Sequence, residues 1–186
     1  MAAGEHPSPF GHADIVTTTT HKTLRGIRSA LIFCKPEYAK KVDSALFPGM
    51  AGGPHMHTIA AKAVTAEEAL TPEFRAYIRR VVENSRAMAA EFTRMGYEVV
   101  TGGTDNHMFL LDFTCTHPTI TGQMVQQALD SRAITLNKNS VPGEKRSPMQ
   151  TSGVRIGTAA MTTKGFGRDD FIAAVSYTHL TLPTIA

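Results

Sequence analysis

The stretch D-I-V-T-T-T-T-H-K-T-L-R-G-I-R, residues 14–28, constrains this chain more than any other. Ile15, Val16, Thr17, Thr18, Thr19 and Thr20 are all β-branched, and such side chains favour a strand over a helix. The run stops at His21-Lys22. Arg25-Gly26 then turns the chain into a second apolar run over 29–34. The reading is a pair of strands, 13–19 and 29–34, with a lysine at the mouth of the first.

A lysine so placed, beside a histidine and a row of hydroxyls, suits carbonyl chemistry. Its amine forms a Schiff base where its surroundings hold it partly deprotonated. The commonest such carbonyl is the aldehyde of pyridoxal phosphate, PLP. The residues alone leave a second reading open, a solvated lysine at a strand end.

The chain has 186 residues, enough for one ordinary domain or two small pieces. Hydrophobic residues make up 42% and charged residues 19%, so a folded core is expected rather than disorder. The net charge of +3 comes from scattered Lys and Arg, which suits small anions better than a nucleic-acid surface. Cys34 and Cys115 have neither metal nor redox spacing and fit a reducing compartment. No signal peptide or membrane-length stretch is read, and a cytoplasmic location with no membrane partner is expected.

Along the chain, Pro36 opens a helix to about residue 46, followed by the glycine-rich loop F-P-G-M-A-G-G over 47–53. Pro54 starts a helix to about 69. Glycines ahead of a helix expose amides to an anion, a weak signal by itself. Thr71 caps the longest helix, to about 95, with a stripe of Phe74, Tyr77, Ile78, Val81, Val82, Met88, Ala89 and Phe92. Gly96 ends it. Strands are expected over 97–101, 107–113, 133–136 and 153–157, a helix capped by Thr121 over 121–131, and a polar loop over 137–150. A last helix runs from Asp169 to about 175. Arg155 stands between Val154 and Ile156, so it faces the opposite side of its strand. A partly buried arginine there needs an anion, either a structural partner or a ligand carboxylate. His55 and His57, two apart, are expected on different sides of a helix and not as metal ligands.

T-T-T-T-H-K-T-L-R-G resembles the PLP-lysine signature of serine hydroxymethyltransferases. Four further pieces resemble that family in the same order: F-P-G-M-A-G-G-P-H-M-H, G-G-T-D-N-H, L-N-K-N-S-V-P and S-P-M-Q-T-S-G-V-R-I-G. The resemblance covers residues 2 to about 175.

It implies an α/β chain of PLP fold type I: residues 1–70 the end of the large PLP-binding domain, 71–175 an α+β small domain, and 176–186 a tail foreign to the family. Lys22 would carry PLP as a Schiff base, His21 would be a catalytic-site residue that shapes the site and influences substrate specificity, and the hydroxyls of Thr19 and Thr20 would lie near the cofactor. Gly52 and Gly53 would offer amides to the phosphate held by a partner subunit, which implies a homodimer with a shared active site. Arg155 would bind the carboxylate of serine or glycine. Asn139, Ser147, Pro148 and Met149 would lie against the co-substrate tetrahydrofolate.

The pattern departs from the family at Ile27 and Ala159, where proline is usual, at Met50-Ala51, and at Met149, where an aromatic is usual. The acidic and histidine residues that the family places around the PLP ring are not assigned in this chain, so a fragment, inactive alone, is expected. Two alternatives stay open. One is another fold-type-I enzyme such as a β-hydroxy amino acid aldolase. The other is a non-catalytic basic binding module, against which stands the lack of any basic run.

Overall fold

The threonine-rich run forms its strand. In the computed structural model, which describes residues 1–181, β1 (Ile15–Thr19) pairs antiparallel with β2 (Ala30–Cys34), Ile15 opposite Cys34 and Thr19 opposite Ala30. The open end is latched by Lys35. Its amide donates to the Asp14 carbonyl at 3.0 Å, and its amine meets the Asp14 carboxylate at 2.5 Å. Both side chains are half in solvent, so the ion pair itself adds little.

A 3₁₀ turn at Pro36–Tyr38 leads into α1 (Ala39–Ser44) and a wide turn, Ala45–Met50. The helix expected through residue 46 breaks at Phe47, as expected. Pro48 lacks an N–H and pushes the residue before it out of the helical region, and Phe47 is extended at φ −137°, ψ 125°. Next come α2 (Met56–Glu68) and α3 (Pro72–Arg94). The α3 ends follow the expected chemistry: Thr71 Oγ1 accepts from the Phe74 amide at 3.2 Å, and Gly96 leaves the helix at φ 87°. Of its apolar stripe, all but Ile78 are fully buried.

The chain forms two compact units, Met1–Ile78 and a second from Arg79 onward, divided within α3. The second unit holds β3 (Glu98–Val99), β4 (Met108–Asp112), α4 (Gly122–Asp130), β5 (Asn137–Asn139), β6 (Gly153–Gly157), α5 (Ala159–Thr163) and α6 (Arg168–Thr181). Its sheet has the order β3-β4-β6-β5, with every pair antiparallel. One face is dry. Phe109 and Leu111 of β4 lie opposite Ile156 and Val154 of β6, all buried, in one cluster with Phe92, Val125, Leu129, Phe171 and Val175. On the other face Leu110 pairs with Arg155, which is exposed.

The architecture is mixed helix and sheet, as expected. Three local readings are corrected. The strand expected over 133–136 does not form: Ala133 ends a turn at φ 60°, and Ile134 and Leu136 pack against the core from an unpaired stretch. The pairing strand is the polar Asn137–Asn139, inside the expected loop. And α6 does not end near 175 but continues through Thr181; residues 182–186 of the expected tail lie outside the described residues. Among the described residues no helix is long and apolar enough to cross a membrane.

Candidate active site

Lys22 sits at the tip of a clasped loop. The β1–β2 hairpin continues one step past its strands, where the Thr20 amide donates to the Ser29 carbonyl at 3.0 Å. Across the neck, the Gly26 amide donates to the Thr20 carbonyl at 2.8 Å, and the Thr20 hydroxyl donates to the Ile27 carbonyl at 2.6 Å. Within the loop, the Arg25 amide donates to the Lys22 carbonyl at 2.9 Å. Arg25 holds φ 58°, and its guanidinium lies 4.1 Å from the centre of the Tyr77 ring. Gly26 is required by space: a Cβ there would lie 2.6 Å from Thr65 Cγ2 and 2.9 Å from the Thr20 carbonyl. The Lys22 side chain is exposed.

His21 Nδ1 lies 3.4 Å from the Ser29 carbonyl. A carbonyl only accepts, so this contact calls for a proton on Nδ1. Thr19 and Thr20, both expected near the cofactor, differ in exposure. Thr19 is half-buried, whereas Thr20 is 1% exposed with its hydroxyl bonded to the Ile27 carbonyl. The neck of the loop uses that hydroxyl as a donor.

Gly52 and Gly53 precede α2 in an exposed segment, and a Cβ at either position would meet nothing within 4 Å. Gly53 is required by its φ of 57°. His55 and His57 stand closer than expected, with ring centres 5.2 Å apart, because His55 is still extended when α2 begins. Among the described residues no group of three or more metal-binding side chains occurs.

In the second unit, Arg155 is exposed, not partly buried as expected, because the face it occupies is the wet side of the sheet. It pairs with Asn137 in β5. Asn139 ends β5, its Nδ2 donating to the Ser140 carbonyl at 2.7 Å. Ser147, Pro148 and Met149 form an exposed turn in which the Gln150 and Thr151 amides both donate to the Ser147 carbonyl at 3.0 Å.

Sequence reasoning missed the residue that shapes this segment. Glu144 Oε1 accepts from the Ser152 hydroxyl at 2.7 Å and from the Lys145 and Arg146 amides at 3.0 and 2.9 Å. Its Oε2 accepts from the Ser152 amide at 2.7 Å and the Val141 amide at 3.4 Å. Burial pushes this carboxyl up, but the Ser152 hydroxyl and the amides of Arg146, Ser152 and Val141 outweigh it and hold it at about 2. The one local signal was an acid following a Pro-Gly turn, amid donors.

A family model described as serine hydroxymethyltransferase matches residues 1–178. The chain belongs to the serine hydroxymethyltransferase family. The match takes in every motif on which the resemblance rested, from the Lys22 loop to the β6 strand. Serine hydroxymethyltransferases are PLP-dependent transferases of fold type I, so a hydroxymethyltransferase-like function follows for the chain at that level.

Proposed function

We propose that this chain belongs to a PLP-dependent enzyme that interconverts serine and glycine and passes the one-carbon unit to tetrahydrofolate. Residues 1–70 would close the cofactor domain, 71–175 would form the small domain, and the working enzyme would be a cytoplasmic homodimer. The observation that carries this reading is Lys22 on a loop whose neck is closed by backbone bonds, within a match that spans residues 1–178.

The residues present fit the cofactor. An exposed amine on a stiff loop can reach an aldehyde with little loss of freedom. The Gly52-Gly53 segment, where an added Cβ would meet nothing within 4 Å, leaves room for a phosphate offered by a second subunit. When bound, PLP supplies an electron sink for the pair released as a bond to the amino acid's Cα breaks.

The chain's own residues would do the rest. Lys22 Nζ would hold the cofactor. His21, its Nδ1 turned to the Ser29 carbonyl, stands next to that lysine in the chain. Thr20 acts through the loop neck and Thr19 lines the strand below it. Arg155 offers a planar fork to the substrate carboxylate from an exposed position in β6. Asn139, Ser147, Pro148 and Met149 face the folate.

The test is borohydride reduction of the chain after addition of PLP, with the modified lysine mapped by mass spectrometry. Labelling concentrated at Lys22 and lost in Lys22→Ala is expected. Equal labelling across surface lysines would overturn the assignment of this loop as the cofactor site.

A further inference from the structure

We infer that Glu144 is a positioning residue for the folate: its carboxylate clasps the 141–152 segment and so presets the turn of Ser147, Pro148 and Met149. The inference rests on the proposed folate side of the site and adds to it the group that fixes its shape.

The geometry is that of a clasp. Glu144 reaches donors at both ends of the segment, Val141 on one side and Ser152 on the other, and two more within it, Lys145 and Arg146. Three residues of the proposed folate surface lie between those ends. The segment is anchored a second way, by Arg146, whose guanidinium donates to the Ile120 carbonyl at 2.6 Å and the Pro118 carbonyl at 2.5 Å. Beyond the clasp, Ser152 joins the sheet, its carbonyl accepting from the Phe113 amide at 3.0 Å.

A turn tied at its base holds its tip in place without covering it. Met149 is 67% exposed and Pro148 is exposed beside it, an apolar tip facing outward. Such a tip offers a soft thioether and a rigid ring to a flat heterocycle. A loop that must first be ordered binds more weakly than one already ordered. Glu144 therefore contributes to folate affinity without touching the ligand.

Charge and shape are both needed. Five donors converge on two oxygens, and an amide in place of the carboxylate would turn an N–H₂ toward some of them. Glu144→Gln is thus the sharp variant, and Glu144→Asp, which keeps the charge on a shorter stem, is the conservative one.

The experiment measures three things on the wild-type chain, E144Q and E144D. These are amide exchange at Arg146 and Ser152, the Kd for tetrahydrofolate under anaerobic conditions, and PLP labelling at Lys22. The expected result for E144Q is exchange at both amides at least tenfold faster, a Kd raised about tenfold, and unchanged labelling. E144D should recover part of the affinity. Wild-type binding of tetrahydrofolate with the same Kd in E144Q would overturn this inference and leave the proposed function standing. A wild-type chain that takes up PLP at Lys22 but no tetrahydrofolate would overturn the folate reading, and this inference with it.

Discussion

Thr20 and Gly26 are bonded across the neck of the loop that carries Lys22, the Gly26 amide donating to the Thr20 carbonyl at 2.8 Å. The same carbonyl would stand 2.9 Å from any Cβ at position 26, and Thr65 Cγ2 would stand 2.6 Å from it. The position therefore tolerates glycine alone, for want of space. Gly26→Ala should cost about 1–3 kcal/mol, the usual range for overpacking. Thermal denaturation should register the loss, and PLP labelling at Lys22 should fall with it. The double variant G26A/T65A removes the side-chain clash but not the carbonyl, so it should recover only part of both. Unchanged melting in G26A would mean that the neck opens freely.

The second strut of the neck is the Thr20 hydroxyl. Thr20→Val keeps the volume and removes the donor, leaving the Ile27 carbonyl without this partner beside a buried side chain. Loss of one such hydrogen bond costs about 0.5–1.5 kcal/mol. Exchange at the Gly26 amide, which belongs to the same neck, should quicken in proportion. If exchange there stays at the wild-type rate, the hydroxyl is not a strut.

What could be read from the residues was what neighbouring residues decide. The caps at Thr71 and Thr121 and the stop at Gly96 depend on atoms a few residues away, and each is where the pattern puts it. The α3 stripe followed from helical period alone. Strand register was another matter. Ile134 and Leu136 looked like a strand because they are apolar, yet they serve the core from an unpaired stretch while polar Asn137–Asn139 pairs with β6. Tertiary pairing overrode composition there. Glu144 was invisible for a related reason: its donors are spread from Val141 to Ser152, and no spacing rule gathers them. The Lys22 loop came from its wording, not its physics, since a lysine after a strand has no chemistry until its neck and neighbours are known.

Asn84 supplies a test of the second unit. It is buried in the middle of α3, and its Nδ2 donates to Thr162 Oγ1 at 3.0 Å and to the Phe166 carbonyl at 3.2 Å. The Thr162 hydroxyl in turn donates to the Thr158 carbonyl at 2.8 Å, and the Thr158 hydroxyl to the Val81 carbonyl at 2.9 Å. This chain of bonds ties α3 to α5. Asn84→Ala should cost about 1–3 kcal/mol through the groups left unpaired. A double-mutant cycle of N84A with T162V, read by urea denaturation, should show coupling of about 0.5 kcal/mol or more. Strict additivity would mean that the two side chains act independently.

Phe92 tests the core itself. Its ring is fully buried, 5.5 Å from the Tyr97 ring centre and 5.8 Å from that of Phe109. Phe92→Ala should cost about 3–5 kcal/mol, the transfer loss plus the cavity. Phe92→Leu should cost markedly less, because most of the volume stays. Equal losses in urea denaturation would mean that ring packing, not volume, sets the stability here.

The Glu144 clasp carries its own pH signature. Its carboxyl is held at about 2, below the ordinary 4.5: burial opposes ionisation, and the Ser152 hydroxyl with the amides of Arg146, Ser152 and Val141 more than offsets it. A depressed carboxylate pKa gives stability that is fully present above the unfolded value and lost as pH falls through the folded one. The window therefore runs from about 4.5 down to about 2. The Ser152 and Arg146 amide resonances, which report directly on their bonds to the carboxylate, should titrate together with a midpoint near the lower end. In E144Q the same resonances should not titrate over that range. A wild-type midpoint near 4.5 would mean that the donors do not hold the charge, and that the segment is ordered by the Arg146 anchor to Pro118 and Ile120 instead.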